Sequence, residues 1–477
     1  MTVDVGRQLA ALLFEHPFAD DQGLLFAADA MVTAGAARAA AHSLALRLGA
    51  AGVEPGEAVA MGLPNGPEAV VAMAGIWRAG AVLVPLNPKA PARERDHAVA
   101  ATGAVALLDP DGLHPLPGEH RRYDPATAFV TWTSGTTGAP KAILHTHDGY
   151  LELLDRVLGP LRGRARNRPE RPPSPNLIPL SLALNSGIYN ALFGLRAGAA
   201  LVIMDRFTTG DFASLVRRFE IRSTVLPPPA IAMLNDDVEL TDLGPLKYVR
   251  SITAPLSPLQ ARRFTARFGV FVLNGYGQAE IGEVLGWTAA DARAHPEKVG
   301  AVGRAHPGVA VRIVDDAGRA VQPDTVGALL VRPPRMAVGY ATGEDLGGRI
   351  DAEGYLRTGD LARVDPDGFV WIEGRAGDVI NRGGNKVFPE HVEEVLRLSP
   401  SVADAAVVGV PDERLGEVPV AFVVDVGVRP ATDAELVALC REHLVAYKVP
   451  VAFHHIDALP RTEVGKVRRG ELVASVS

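Results

Sequence analysis

The chain has 477 residues, 47% of them hydrophobic and 22% charged, an ordinary globular composition that excludes a disordered tail protein. Forty-eight basic against 55 acidic side chains leave a net charge of −7, which excludes a strongly basic nucleic-acid-binding face. The single cysteine, Cys440, excludes an internal disulfide and a thiolate metal cluster and fits a reducing cytoplasm.

The length allows roughly three folding units. The opening MTVDVGRQLAALLFEHPF lacks a basic segment followed by a long apolar one, so it does not read as a signal peptide. No window carries the eighteen or so apolar residues of a spanning helix. The expectation is a soluble cytoplasmic protein with no membrane partner. Ala27 to Ala51 is Ala-rich and interrupted by Asp29, Arg38, His42 and Arg47, which predicts a buried amphipathic helix. From 56 to 107, apolar runs (GEAVAMGLP, AVLVPL) alternate with a helically spaced segment (PEAVVAMAGIWRAG). The same rhythm recurs around 188–204, 212–227 and 259–273, which predicts parallel sheets with crossover helices in two α/β layers before residue 290. Segment 159–175 holds five arginines and five prolines and reads as a solvated loop. From about 299 to 375, short strands joined by Gly, Pro and Asp-Gly turns predict a small antiparallel β-unit. After it comes an α+β stretch. The expected division is 1–375 and 376–477.

The most informative string is Thr131–Lys141, TWTSGTTGAPK. Glycines let backbone N–H groups approach an anion, hydroxyls add donors, and Lys141 supplies a point charge in a chain with seven lysines and 41 arginines. Such a set suits a polyphosphate. It is not a Walker A loop, which would need Gly where Pro140 stands and Ser or Thr where Ala142 stands.

TSGTTGAPK resembles the phosphate-binding motif of the adenylate-forming superfamily, which comprises acyl- and aryl-CoA ligases, peptide-synthetase adenylation domains and beetle luciferases. Four further matches follow in order: Gly275–Glu280 (GYGQAE), Tyr355–Asp360 (YLRTGD), Gly374-Arg375 with Asp378, Gly383-Gly384 and Pro389, and Pro460-Arg461-Thr462 with Gly465-Lys466. The resemblance implies a large N-terminal AMP-binding domain and a small, mobile C-terminal lid. It implies ATP-dependent activation of a small carboxylic acid as acyl-AMP, with release of pyrophosphate and transfer to a thiol of CoA or of a carrier protein's phosphopantetheine. Thr133, Ser134, Gly135, Thr136, Thr137, Gly138 and Lys141 would hold the β- and γ-phosphates. Asn274, Gly275, Tyr276, Gly277, Gln278 and Ala279 would frame the adenine, with Tyr276 stacking on it. Asp360 would accept both ribose hydroxyls, Arg375 would reach ribose or phosphate, and Glu280 would hold Mg²⁺. Lys466 would bridge the carboxylate and the α-phosphate, Gly377 would be the hinge, and Gly383 and Gly384 would line a thiol tunnel, although a Gly-Gly pair equally marks a hairpin turn.

The chain departs from the pattern in four places. Ala279 stands where a threonine hydroxyl usually meets the α-phosphate, and Gly377 stands where Asp or Lys is usual. In IPLSLALNSGIYN the loop after PL offers Leu182, Ala183, Leu184 and Asn185 where many members have an aromatic or His. Ile252 and Thr253 precede Ala254-Pro255 where glycines usually leave space. Leu184, Asn185, Ser186, Ile188, Pro228, Ile252, Thr253 and Ala254 are the expected pocket walls, and the fuller side chains predict a compact acid. An oxyacid as small as nitrite is the alternative.

Overall fold

The computed structural model describes residues 8–28, 30–132, 141–162, 173–341, 346–427, 429–461 and 467–476. Two large sheets and two small ones account for the described strands. The first large sheet has seven strands centred on Ala58–Met61 and Val82–Pro85, which pair in parallel. Both of those strands are buried at every position, as strands covered on both faces must be. The crossover helix Pro67–Arg78 starts at a proline whose missing N–H costs nothing there, and it carries Glu68 in its positive first turn.

The second large sheet has nine strands. Its middle is parallel, running through Ser223–Val225, Tyr248–Ser251 and Phe271–Gln278, and its far end turns antiparallel through Gly282–Gly286. The largest core cluster joins Trp77 and Phe129 to Tyr150, Ile188 and Leu201, so helices from both sheets share one apolar interior. Trp77 Nε1 donates to Ala128 O at 2.8 Å, satisfying its one polar atom inside that core.

The expected antiparallel unit is a four-stranded sheet, Ala310–Val314, Gly327–Arg332, Leu356–Val364 and Val370–Arg375. Its sequence neighbours do not all belong to it. Gly339–Tyr340 pairs with Ala142–Thr146 on the edge of the seven-stranded sheet, which brings Tyr340 beside Lys141. The Ala-rich segment also divides differently from expectation. Gly23–Ala27 and Ala30–Thr33 are paired strands, and the helix runs only from Ala34 to Ala50, capped by Thr33 Oγ1 accepting from Ala36 N. In the 159–175 segment the helix His147–Arg162 continues through Pro160, and residues 163–172 lie outside the described residues.

Beyond Arg375 a short 3₁₀ turn, Ala376–Asp378, leads to a five-stranded sheet with helices Pro389–Leu396 and Asp433–His443. It has its own apolar cluster around Ile380, Val407, Ala421 and Leu436. Contacts on either side of that turn join it to the four-stranded sheet. His391 meets Glu373 at 2.7 Å, and a Cβ at Gly374 would come within 2.7 Å of Glu390 Oε2.

Candidate active site

Three separated strings converge at one end of the nine-stranded sheet. The strand Phe271–Gln278 carries Asn274 to Gln278 out of the parallel core and turns back through Gly282–Gly286. The strand Leu356–Val364 brings Asp360 to the same place, and the register sets Asp360 opposite Arg375. Gly277 is required by that turn, because a Cβ there would sit 2.1 Å from Gly282 O.

Asp360 is buried and fully engaged. Its Oδ2 accepts from Tyr276 OH at 2.5 Å and from Gln278 Nε2 at 2.9 Å, and its Oδ1 lies 3.1 Å from Arg375 Nε. Burial, then the Asp360 charge, pushes the Tyr276 phenol well above its ordinary pKa, so it stays a donor. Gln278 continues the chain, since its Oε1 accepts from Arg349 Nη2 at 3.1 Å. Arg349 Nη1 in turn donates to Glu280 Oε1 at 2.7 Å, and Tyr340 OH donates to the same oxygen at 3.4 Å. The Lys141 ammonium lies 4.9 Å from the centre of the Tyr340 ring. The contacts therefore run from Arg375 through Asp360, Gln278, Arg349, Glu280 and Tyr340 to Lys141.

Glu280 fits a hard divalent cation. It is a buried carboxylate with oxygen donors only, and among the described residues its Oε2 accepts no hydrogen bond. Among the described residues no group of three or more His, Cys, Asp or Glu could hold a metal by itself, so nucleotide oxygens would complete such a shell. A cavity of about 30 Å³ borders Ala279, Glu280, Tyr150, Asn185 and Arg156.

The pocket-wall expectations fall into distinct places. Asn185 Oδ1 accepts from Tyr150 OH at 2.9 Å at the start of the helix Asn185–Ala197, with Ser186 beside it and Leu184 as the preceding residue. Ile188 is fully buried in the shared core, and Pro228 opens the helix Pro228–Asp236. Ile252 reaches Gly275: a Cβ on that glycine would lie 3.3 Å from Ile252 Cγ2. Thr253 holds φ +87°, a conformation that glycine adopts freely and a β-branched residue does not. Ala254 follows it. Gly383 and Gly384, with φ of +55° and +83°, form the two-residue loop of the hairpin Ile380–Arg382 and Asn385–Val387. Gly377 sits in the 3₁₀ turn, and a Cβ added to it would meet nothing within 4 Å. The residues Thr133, Ser134, Gly135, Thr136, Thr137, Gly138 and Lys466 lie outside the described residues.

Sequence reasoning missed Arg349 and Tyr340, which bind the Glu280 carboxylate. It also missed a second buried cluster behind Gly275. There Glu283 Oε1 accepts from Arg250 Nη2 and meets His306 Nε2 at 3.1 Å, while Oε2 accepts from Tyr189 OH at 3.2 Å. Burial would raise the Glu283 pKa, but Arg250, His306 and Tyr189 outweigh it and hold the group down at about 2. The one signal in the sequence was a charged residue three places after Glu280, in an otherwise apolar strand.

The model of the AMP-binding enzyme family matches residues 17–122 and 109–341, and that of the AMP-binding enzyme C-terminal domain matches 391–466. A 4-coumarate–CoA ligase-like protein of Oryza sativa subsp. japonica is 32% identical over 88% of this chain and 83% of its own. A sulfoacetate–CoA ligase of Cupriavidus necator is 30% identical over 93% and 92%. The solved structure of an amide bond synthetase from Marinactinospora thermotolerans superposes with a TM-score of 0.85 at 27% identity, covering 98% of this chain and 99% of that one. The chain belongs to the AMP-binding enzyme family and is an AMP-forming ligase of the adenylate-forming superfamily.

Proposed function

We propose that this ligase activates a compact carboxylic acid with ATP, releases pyrophosphate, and passes the acyl group to the thiol of CoA. The observation that carries the reading is the continuous network from Arg375 through Asp360, Gln278 and Arg349 to Glu280. All reacting oxygens are anionic, so catalysis consists chiefly of positioning and charge neutralisation. Asp360 presents a two-oxygen acceptor for the ribose hydroxyls, exchanging its contacts with Tyr276 and Gln278 for them. Glu280 would hold Mg²⁺, which supplies neutralisation of phosphate charge when bound. Lys141 and the 133–138 loop would hold the terminal phosphates, and Lys466 would bridge the acid and the α-phosphate. Domain 376–477 would rotate about Gly377 between half-reactions, bringing Gly383 and Gly384 to the thiol. The buried free thiol of Cys440 fits a cytoplasmic setting, and no described helix is long and apolar enough to cross a membrane.

Compactness of the acid is supported by Ile252 against Gly275 and by the Thr253 side chain at φ +87°. The cavity of about 30 Å³ beside Ala279 supports a second reading, activation of an oxyacid as small as nitrite. Pyrophosphate release measured across aryl, short-chain and amino acids and nitrite tests both. Mass spectrometry of the product with CoA, a phosphopantetheinylated carrier protein or an amine then identifies the acceptor. Exchange of labelled pyrophosphate into ATP with at least one acid is expected. Absence of exchange with every acid would overturn the reading.

A further inference from the structure

Resting on that reading, we propose that Arg250, anchored by Glu283, selects the acid by receiving a second oxyanionic group at its far end. The cluster lies against the expected pocket. A Cβ on Gly275 would come 3.1 Å from Glu283 Oε1 and 3.3 Å from Ile252, and one on Gly286 would come 2.9 Å from both Glu283 and His306. Both glycines therefore make room for this carboxylate. The four groups come from four elements: Tyr189 from the helix Asn185–Ala197, Arg250 from Tyr248–Ser251, Glu283 from Gly282–Gly286, and His306 from the segment after Arg304–Ala305.

The two ends of the ion pair differ in what they have left to give. Glu283 has 5% of its side chain exposed and both oxygens engaged. Arg250 has 16% exposed. Its Nη2 donates to Glu283, Tyr189 lies beside it, and its guanidinium carbon stands 5.6 Å from the centre of the Phe193 ring. A guanidinium is a planar fork of five donors matched to a carboxylate or sulfonate, more than these partners use. The acceptor is thus spent inward while donor capacity remains on the cation. The neighbouring charged groups are Arg156, whose side chain is 1% exposed, and Glu152 beside it at 3.4 Å. Arg156 also faces Glu283 and Tyr189 electrostatically but has Glu152 as its own acidic partner, so Glu283 stays the counter-ion of Arg250, and the N–H groups that Arg250 does not give to it are what a second oxyanion would meet.

The experiment is a comparison of kcat/KM in pyrophosphate exchange for short dicarboxylic or sulfo-carboxylic acids against chain-length-matched monocarboxylic acids. The wild-type enzyme is expected to prefer the doubly anionic acid by about 10- to 100-fold. The joint change Arg250→Met with Glu283→Val removes the pair without stranding a charge. It should erase that preference through the KM for acid while leaving the KM for ATP unchanged. Arg250→Lys should retain part of the preference, because the charge stays and the fork is lost. A wild-type preference for matched monocarboxylic acids overturns the proposal even if no variant folds, and so does a double variant with an unaltered ratio. Exchange with monocarboxylic acids alone sinks this assignment but not the activity. Exchange with no acid sinks the activity itself.

Discussion

The cluster around Asp360 and Glu280, proposed to face the nucleotide, and the cluster around Glu283, proposed to face the acid, are built from opposite kinds of sequence. Around Asp360 and Glu280 the working residues sit in two unbroken strings, Gly275–Glu280 and Tyr355–Asp360, on strands of two different sheets that the hydrogen bonds of Tyr276 and Gln278 to Asp360 and Thr358 join. Around Glu283 the four polar groups are single residues from four separate elements, 117 positions apart at the extremes, Tyr189 and His306. The nucleotide is the same molecule for every member of such a family, so its contacts can be carried by contiguous backbone. The acid differs, and on the proposed reading its contacts would come from scattered side chains that share a place in the packing.

The largest test of that contrast is to remove one carboxylate from each half. Glu280→Gln keeps the shape and the Arg349 contact but loses the charge. Pyrophosphate exchange should fall by about 10²- to 10³-fold for every acid alike, and the Mg²⁺ concentration for half-maximal rate should rise. The stability change should be small, because the pair with Arg349 is partly solvated. Glu283→Gln should act the other way round. It leaves Arg250 in a buried site with a weaker partner, a loss on the order of 3 kcal/mol, visible as a lower thermal midpoint, with the KM for ATP unchanged. If Glu280→Gln altered the order of preference among acids, the two halves would not be separable.

A second test uses acid. Burial lowers the pKa of His145 to about 3 and of His16 and His147 to about 4, from an ordinary 6.5. His147 Nδ1 accepts from Leu9 N at 3.1 Å, which fixes that ring as an acceptor. Between pH 6.5 and about 4 the unfolded chain therefore binds protons that the folded chain refuses, and stability must fall as pH falls. Each histidine contributes roughly 1–2 kcal/mol of that loss by pH 5. Glu283 has a depressed pKa, so its contribution is full above the ordinary carboxylate range and disappears only toward pH 2. Thermal midpoints measured from pH 7.5 to 4 should drop with the histidine window, well before the acid-side carboxylate protonates. His147→Asn, which keeps a short acceptor on that side, should flatten part of the slope. A midpoint independent of pH down to 4 would contradict the assignment of these rings as neutral.

The same contrast explains what could be read in advance. Alternating apolar runs sufficed for both large sheets, because strands buried on both faces leave a continuous hydrophobic trace, as at Ala58–Met61 and Val82–Pro85. They did not suffice for the hairpin at Gly23–Thr33, whose second strand has only four residues and shows no buried face to set it apart from the Ala-rich helix that follows. Asp360 stood out in the sequence because it closes an unbroken motif string, Tyr355–Asp360. Arg349 did not, because it reaches Glu280 across 69 positions and lies in no motif string. The backbone of Thr253 was not legible: the sequence shows a threonine, and only the structure shows that it is exposed and holds φ +87°. Such an outlier costs about 1–3 kcal/mol and persists where the surroundings impose it.

The smallest expected effect concerns the two glycine sites of the C-terminal region. Gly384 holds φ +83° in its hairpin, so Gly384→Ala should cost about 1 kcal/mol through backbone strain alone. Gly377 has no left-handed φ and open space where a side chain would begin. Gly377→Ala should therefore leave the thermal midpoint within about 0.5 kcal/mol of the parent, or raise it slightly by stiffening the unfolded chain. A static role for Gly377 would then have no physical basis, and its conformational freedom would matter only if the turn Ala376–Asp378 must change shape between half-reactions. Rotation predicts that Gly377→Ala leaves pyrophosphate exchange intact and slows thioester formation from supplied acyl-AMP by a few-fold. Two unchanged rates would show that the turn moves without using this residue, and two equally reduced rates would place Gly377 in the first half-reaction instead.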